Sequence, residues 1–256
     1  MATRITEAGA RLSNRRQSRT FGEPMNVMTR LTAVDRWNLL VTGLMGPRPG
    51  LFFEALRARG TLKCLLPELD ALFGVPQLCD GPEPVDTGVH QLRLVDLTAR
   101  ALDPLEVRFA ALVHKIGKAG TPHDMLPSHP GHEARGLALL DGLAQRLAVP
   151  GAALDLARLV ISECDHVHRA SDMRAGAIAS LLERLQAQTR AERFEQLLWV
   201  CSCDYAAYPG HGAVGHPKVP RLRRAQGAAA RADVAGLSPE PALHARAQAI
   251  AQALRG

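Results

Sequence analysis

The sequence predicts an all-α fold, and three observations carry that expectation. Apolar residues recur at three- and four-residue steps along most of the chain, no stretch of useful length alternates apolar with polar residues, and 46% of the 256 residues are apolar, enough for a substantial core. The chain is expected to comprise a flexible basic arm over 1–30, helical sequence from Leu31 to about 212 and a basic, Ala-rich tail over 213–256.

The arm is polar, with Arg11, Arg15, Arg16 and Arg19 close together and little apolar periodicity. Its composition is like that of an organellar transit peptide; an unstructured tail, a true start at Met25 or Met28, and an RNA-gripping arm are the other readings. Helical periodicity begins at Leu31, where Val34, Trp37, Leu40 and Leu44 share a face. A Pro-Gly-rich turn at 46–50 leads to a helix carrying Phe52, Phe53 and Leu56. It stops near Gly60, after Arg57 and Arg59, charges suited to a helix C-terminus. Leu65 to Leu72 reads as a short helix and Gly74 to Pro84 as a loop.

A helix over 87–102 is expected to pack through Val89, Leu92, Val95 and Leu102. The next begins at Asp103-Pro104-Leu105-Glu106, with Asp103 as cap, Pro104 in the first turn and Glu106 reaching back to the cap. Gly117 and Gly120 end it, which places His114 and Lys115 in its last turn. Further helices are expected over 132–147, 151–164, 174–187 and 190–206, the last with Phe194, Leu197, Leu198 and Cys201 on one face. Past Gly210 come Lys218, Arg221, Arg223 and Arg224 and then an Ala-rich helix to 256. This segment reads as a solvated tail, with a basic RNA contact as the alternative.

A formal charge of +6 and a pI near 9.4 permit attraction to nucleic acid or phosphate-bearing ligands. Cys64, Cys79, Cys164, Cys201 and Cys203 are odd in number and lack the spacing of a disulfide framework or zinc ribbon, which points to a reducing cytoplasm. Cys164, Cys201 and Cys203 with His168 offer soft-metal donors, but two thiols two residues apart on a helix do not share a face, so buried structural cysteines are expected instead. No apolar run reaches the length of a membrane span, so a soluble cytoplasmic protein is expected.

Residues able to bind a metal or a phosphate cluster between Asp86 and His132, in D-T-G-V-H (86–90), V-H-K-I-G-K (113–118) and H-P-G-H (129–132). His166, His168 and Asp204 follow. Histidines near helix ends can ligate a metal through one nitrogen while a neighbour fixes the other. The order of His90, His114, His132, His168 and Asp204 resembles the HD phosphohydrolase superfamily. The flanking text is closer still to the HD-containing C-terminal half of bacterial tRNA nucleotidyltransferase, the CCA-adding enzyme. That match rests on F-F-E-A-L-R-A-R-G-T-L (52–62), L-P-E-L-D-A-L-F-G-V-P (66–76), V-R-F-A-A-L-V-H (107–114) and D-L-A-R-L-V (155–160). It covers roughly 31–212 and implies a neck/body-like module over 31–80 and an HD helical bundle over 81–212.

Two departures bear on function: Lys115 stands where the motif has Asp, and Cys164 where it has a second His. The resemblance implies that His90, His114, His132 and Asp204 hold a divalent metal, Mg, Mn or Ni, that activates water against a phosphate ester. A lysine ammonium has donors only and repels a divalent cation. Lys115 is therefore expected to pair with Asp204, and with Asp86 or Asp165, in place of the ion.

The pocket residues His90, His114, Lys115, Lys118, His132, His168 and Asp204 then support a pseudoenzyme that binds RNA or a nucleotide phosphate without a cofactor. The alternative is a metal-dependent phosphohydrolase acting on phosphomonoesters or 2',3'-cyclic nucleotides. A nucleotidyltransferase head needs a Gly-rich motif and paired carboxylates, and only Glu7 and Glu23 are acidic before residue 31. CCA addition by this chain alone is not expected; tRNA, another RNA, or a separate head-domain protein are the expected partners, and a membrane is not.

Overall fold

The computed structural model describes residues 30–212 and 215–255, so all of the expected arm except Arg30 lies outside the described residues. Within them the chain forms twelve α-helices and one strand pair of two residues each, an all-α protein. Helix α1 (Ala33–Leu44) starts at Thr32, whose hydroxyl accepts from the Asp35 N–H while the Asp35 carboxylate accepts from the Thr32 N–H. It buries Trp37, Leu40 and Leu44. Helix α2 (Pro49–Ala58) buries Phe53 and Leu56, and Gly60 ends it at φ +69°, a conformation a side chain would resist. The short helices α3 (Leu62–Leu65) and α4 (Pro67–Asp70) follow.

The expected loop at 74–84 holds the strand pair, β1 (Pro76–Gln77) antiparallel to β2 (Val85–Asp86). Helix α5 (Thr87–Arg100) then begins on Asp86, which accepts from the Val89 N–H. Helix α6 (Leu105–Val113) is buried at every residue from Val107 to Val113 and forms the centre of the bundle. It packs on α5 and on α8 (Gly151–His168). Arg108 fixes the corner: its guanidinium donates to the carbonyls of Asp103, Leu44 and Gly46, tying α6 to the end of α1. A 3-10 turn over Ile116–Gly120 lies on α7 (His132–Leu147), so closely that a Cβ on Gly117 would sit 2.0 Å from the His132 carbonyl oxygen. Helices α9 (Ala175–Arg184) and α10 (Ala191–Ala206) complete this bundle.

Several local expectations need correction. Asp103 does not cap α6; its carboxylate accepts from Trp199 Nε1 at 2.6 Å, and Pro104 is the N-cap. Val89 and Leu102 are exposed, because the buried arc of α5 runs through His90, Gln91 and Leu94 and Leu102 lies past its end at φ +58°; Val34, in the first turn of α1, is exposed as well. Helix α8 continues to His168, four residues beyond the expected stop, so Cys164 and His168 share a face. Helix α9 ends early, and Gln186 at φ +53° follows it.

The largest correction concerns the solvated tail. Helices α11 (Val219–Ala230) and α12 (Pro239–Arg255) pack on each other and on α9, burying Leu222, Ala225, Ala229 and Ile250. The Ala-rich sequence is what permits this, since small side chains let helices approach closely. The apolar core runs from Trp37 to Ile250. No helix among the described residues is long and apolar enough to cross a membrane.

Candidate functional site

Asp204, near the end of α10, is the centre of the site and almost wholly excluded from water. Four of the residues singled out in the sequence reach it. His90 Nε2 lies 2.7 Å from Oδ1, His114 Nε2 3.4 Å from Oδ1, and His168 Nε2 2.9 Å from Oδ2. Lys115 Nζ is 2.9 Å from Oδ1 and 3.1 Å from Oδ2. Burial pushes His90 down to about 4, so its Nε2 donates to Asp204 as a neutral ring. Burial opposes the charges of Asp204 and Lys115 too. Their mutual attraction outweighs it, holding Asp204 well below the usual carboxylate range and Lys115 above the usual lysine range.

The remaining candidates stand apart from that centre. His132 donates from Nδ1 to the His129 carbonyl at 2.9 Å and faces Asp165 across 4.0 Å. Lys118 donates to Gln77 Oε1 at 2.8 Å, and burial together with the Lys115 ammonium lowers it to about 7. Asp86, one of the proposed partners of Lys115, is occupied as the cap of α5. Asp165 faces a cavity in front of Asp204, and His132, Lys115 and Lys118 hold it below the usual carboxylate range against the effect of burial.

Cys164, at the position of the missing second His, lies 3.4 Å from His168 Nε2 and 3.3 Å from Cys201 Sγ. The Cys201 contact and burial keep it a thiol. Burial pushes His168 down while Cys164 and Asp204 push it up to about 10. Cys164, as a thiol, carries no charge to hold an imidazolium, and Asp204 is already paired with Lys115, so a neutral ring is favoured. The hydrogen bonds agree: the Lys218 N–H donates to His216 Nδ1 at 3.1 Å, leaving His216 Nε2–H to donate to His168 Nδ1 at 2.7 Å.

The cavity in front of Asp204 has a volume of ≈ 250 Å³. Lys115, Lys118, Asp165 and His168 line it together with Tyr205, Tyr208, His211 and His216, which the sequence reading missed, and Lys218, which it placed in the basic tail. Tyr208 was legible in principle, four residues beyond Asp204 on one helix face. His216 and Lys218 lie past the recognisable stretch, in the segment read as a tail. A larger cavity of ≈ 520 Å³ near Asp155, Arg190 and Arg193 is remote from this chemistry.

The divalent ion implied by the resemblance does not fit this donor set. Lys115 places an ammonium against both oxygens of the carboxylate that would have to bind it.

No family model matches the chain. It is 45% identical over 228 residues to the multifunctional CCA protein of Ralstonia nicotianae, a match covering 85% of this chain and 53% of that protein. It is also 45% identical over 202 residues to the multifunctional CCA protein of Cupriavidus taiwanensis, covering 79% and 49%. With that of Dechloromonas aromatica it shares 47% identity over 180 residues, covering 70% and 44%. Over most of its length this chain is a relative of the multifunctional CCA proteins, and it spans about half the length of those it matches.

Proposed function

We propose that this chain binds RNA or a nucleotide through a phosphate group, without a metal ion, in the cavity in front of Asp204, and that it adds no CCA by itself. It is read here as the counterpart of the HD-containing C-terminal half of a CCA protein, a neck/body-like part over 31–80 and a degenerate HD bundle over 81–212. The observation that carries the reading is a division of labour among three lysines. Lys115 is neutralised by Asp204, whereas among the described residues Lys118 Nζ donates to Gln77 Oε1 and Lys218 Nζ to the His168 carbonyl. Two amines facing a polar cavity, with no carboxylate among the described residues within salt-bridge distance, are suited to an anion with several acceptor oxygens. Tyr205 and Tyr208, which also line the cavity, carry hydroxyls able to donate to such an anion.

The resemblance to tRNA nucleotidyltransferase makes tRNA the first RNA to test, and a separate head-domain protein is the proposed protein partner. The test is titration of a nucleoside monophosphate and of tRNA into the protein with a chelator present. Binding that survives the chelator and weakens in Lys118→Met and Lys218→Met supports the reading. A metal-dependent phosphohydrolase is the second reading, favoured by the three histidine nitrogens around Asp204. Stoichiometric bound metal with turnover of a 2',3'-cyclic nucleotide would establish it instead.

A further inference from the structure

We infer that the side of α10 turned away from Asp204 carries a second site, an apolar slot that takes an unpaired base of single-stranded RNA against Trp199 while Arg93 and Arg100 hold the phosphates beside it. The inference rests on the RNA reading above and adds a contact outside the Asp204 cavity. Helix α10 divides its residues between two cavities. Asp204, Tyr205 and Tyr208 line the first, whereas Trp199, Cys203 and Ala206, at steps of four and three residues, line the second. Leu97, Arg100 and Ala101 at the end of α5 close its other side. Its volume is ≈ 290 Å³, at the bottom of the range of about 300–1,000 Å³ typical of small-molecule sites, which suits one ring system and not the face of a partner helix.

Trp199 is 40% exposed, whereas the other tryptophan, Trp37, is buried. Its Nε1–H bond to Asp103 fixes the edge of the indole, so little rotamer freedom remains to be lost when a ring stacks on it. Arg93 and Arg100, two turns apart on α5, are both exposed and edge a smaller cavity that shares Leu97 with the slot. Neither guanidinium forms an ion pair with a described residue, and Asp96, between them in sequence, is turned to the Gly50 N–H at 2.8 Å. An exposed indole beside two guanidiniums of this kind suits a single strand, because every base offers a π-face and every linkage a charge. An apolar protein segment would fill the slot but leave both guanidiniums without a counter-charge.

The experiment is a titration of a short labelled oligouridylate into the full chain, read by anisotropy and by tryptophan emission in a Trp37→Phe background, where Trp199 is the one indole left. The oligonucleotide should quench Trp199. Trp199→Ala should weaken binding by about tenfold, the value of one base–aromatic stack, and Trp199→Phe should restore most of it. Arg93→Gln with Arg100→Gln should lower the slope of log affinity against log salt by about 1.4, two phosphate contacts at about 0.7 each. Binding by Trp199→Ala as tight as by the wild type overturns the inference, and so does emission that the oligonucleotide leaves unchanged. If the slot seats a second copy of the chain instead, Trp199→Ala changes the sedimentation and not the affinity for the oligonucleotide, which also overturns it. Should Trp199→Ala not fold, the arginine variant decides, and an unchanged affinity and salt slope overturn the inference. Lys118→Met with Lys218→Met should abolish nucleoside monophosphate binding and leave the quenching of Trp199 in place, so either reading can fail without the other.

Discussion

Lys115 Nζ and the Asp204 carboxylate, 89 residues apart in sequence, meet at 2.9 and 3.1 Å where both are excluded from water. A buried pair of this kind contributes little net stability relative to an apolar replacement, but breaking it strands a charge. Lys115→Ala should therefore lower unfolding free energy by about 3–5 kcal/mol. Adding Asp204→Asn, which removes the stranded charge, should recover much of that loss. Urea unfolding of the three proteins in a metal-free buffer measures it, and a single variant as stable as the wild type would contradict the pairing.

Acid should unfold this protein early. His90, His129 and His216 are each held down to about 4, chiefly by burial, against an ordinary histidine value of 6.5. Between those limits the unfolded chain binds more protons than the folded one, so stability is full above about 6.5 and falls as pH drops toward 4. Thermal unfolding followed from pH 7 to 4 should show a steep loss, shallower in His216→Asn. A flat profile would mean that these rings are already charged in the folded state.

Lys118 gives the pocket a second pH dependence. With the amine held to about 7, phosphate affinity should fall as pH rises above 7 and the ammonium is lost, provided the phosphate stays dianionic. In Lys118→Met the affinity should drop by about tenfold or more, the value of a lost charge-assisted hydrogen bond, and this slope should disappear. Calorimetry at several pH values, in buffers of different ionisation enthalpy, reads both the affinity and the accompanying proton uptake.

Helices α11 and α12 are part of the core. Ile250 is fully buried, so Ile250→Ala should cost about 2–5 kcal/mol, where the same change in a solvated tail would cost almost nothing. A thermal melt distinguishes the two.

Much of the fold was legible because the three- and four-residue apolar steps are a local signal. The start of α7 at His132 and the end of α10 at Ala206 can be read from periodicity and punctuation alone. The Asp204 centre was legible through motif order, which fixed His90, His114, Lys115 and His168 before any geometry. What escaped depended on tertiary placement. His132 keeps its motif position yet turns to the His129 carbonyl, and Asp103 abandons its cap for Trp199, a partner 96 residues away. His216 and Lys218 joined the site through a packing of α11 that its Arg- and Ala-rich sequence disguises as solvated chain.

The central claim is that a lysine has taken an ion's place and left a pocket that binds phosphate unaided. Its most direct test is binding of a nucleoside monophosphate to the wild-type chain after exhaustive chelation, with bound metal quantified in the same sample. The account predicts saturable binding at less than about a tenth of an equivalent of divalent metal. Binding that vanishes on chelation and returns only with stoichiometric Mn²⁺ or Ni²⁺ would contradict it.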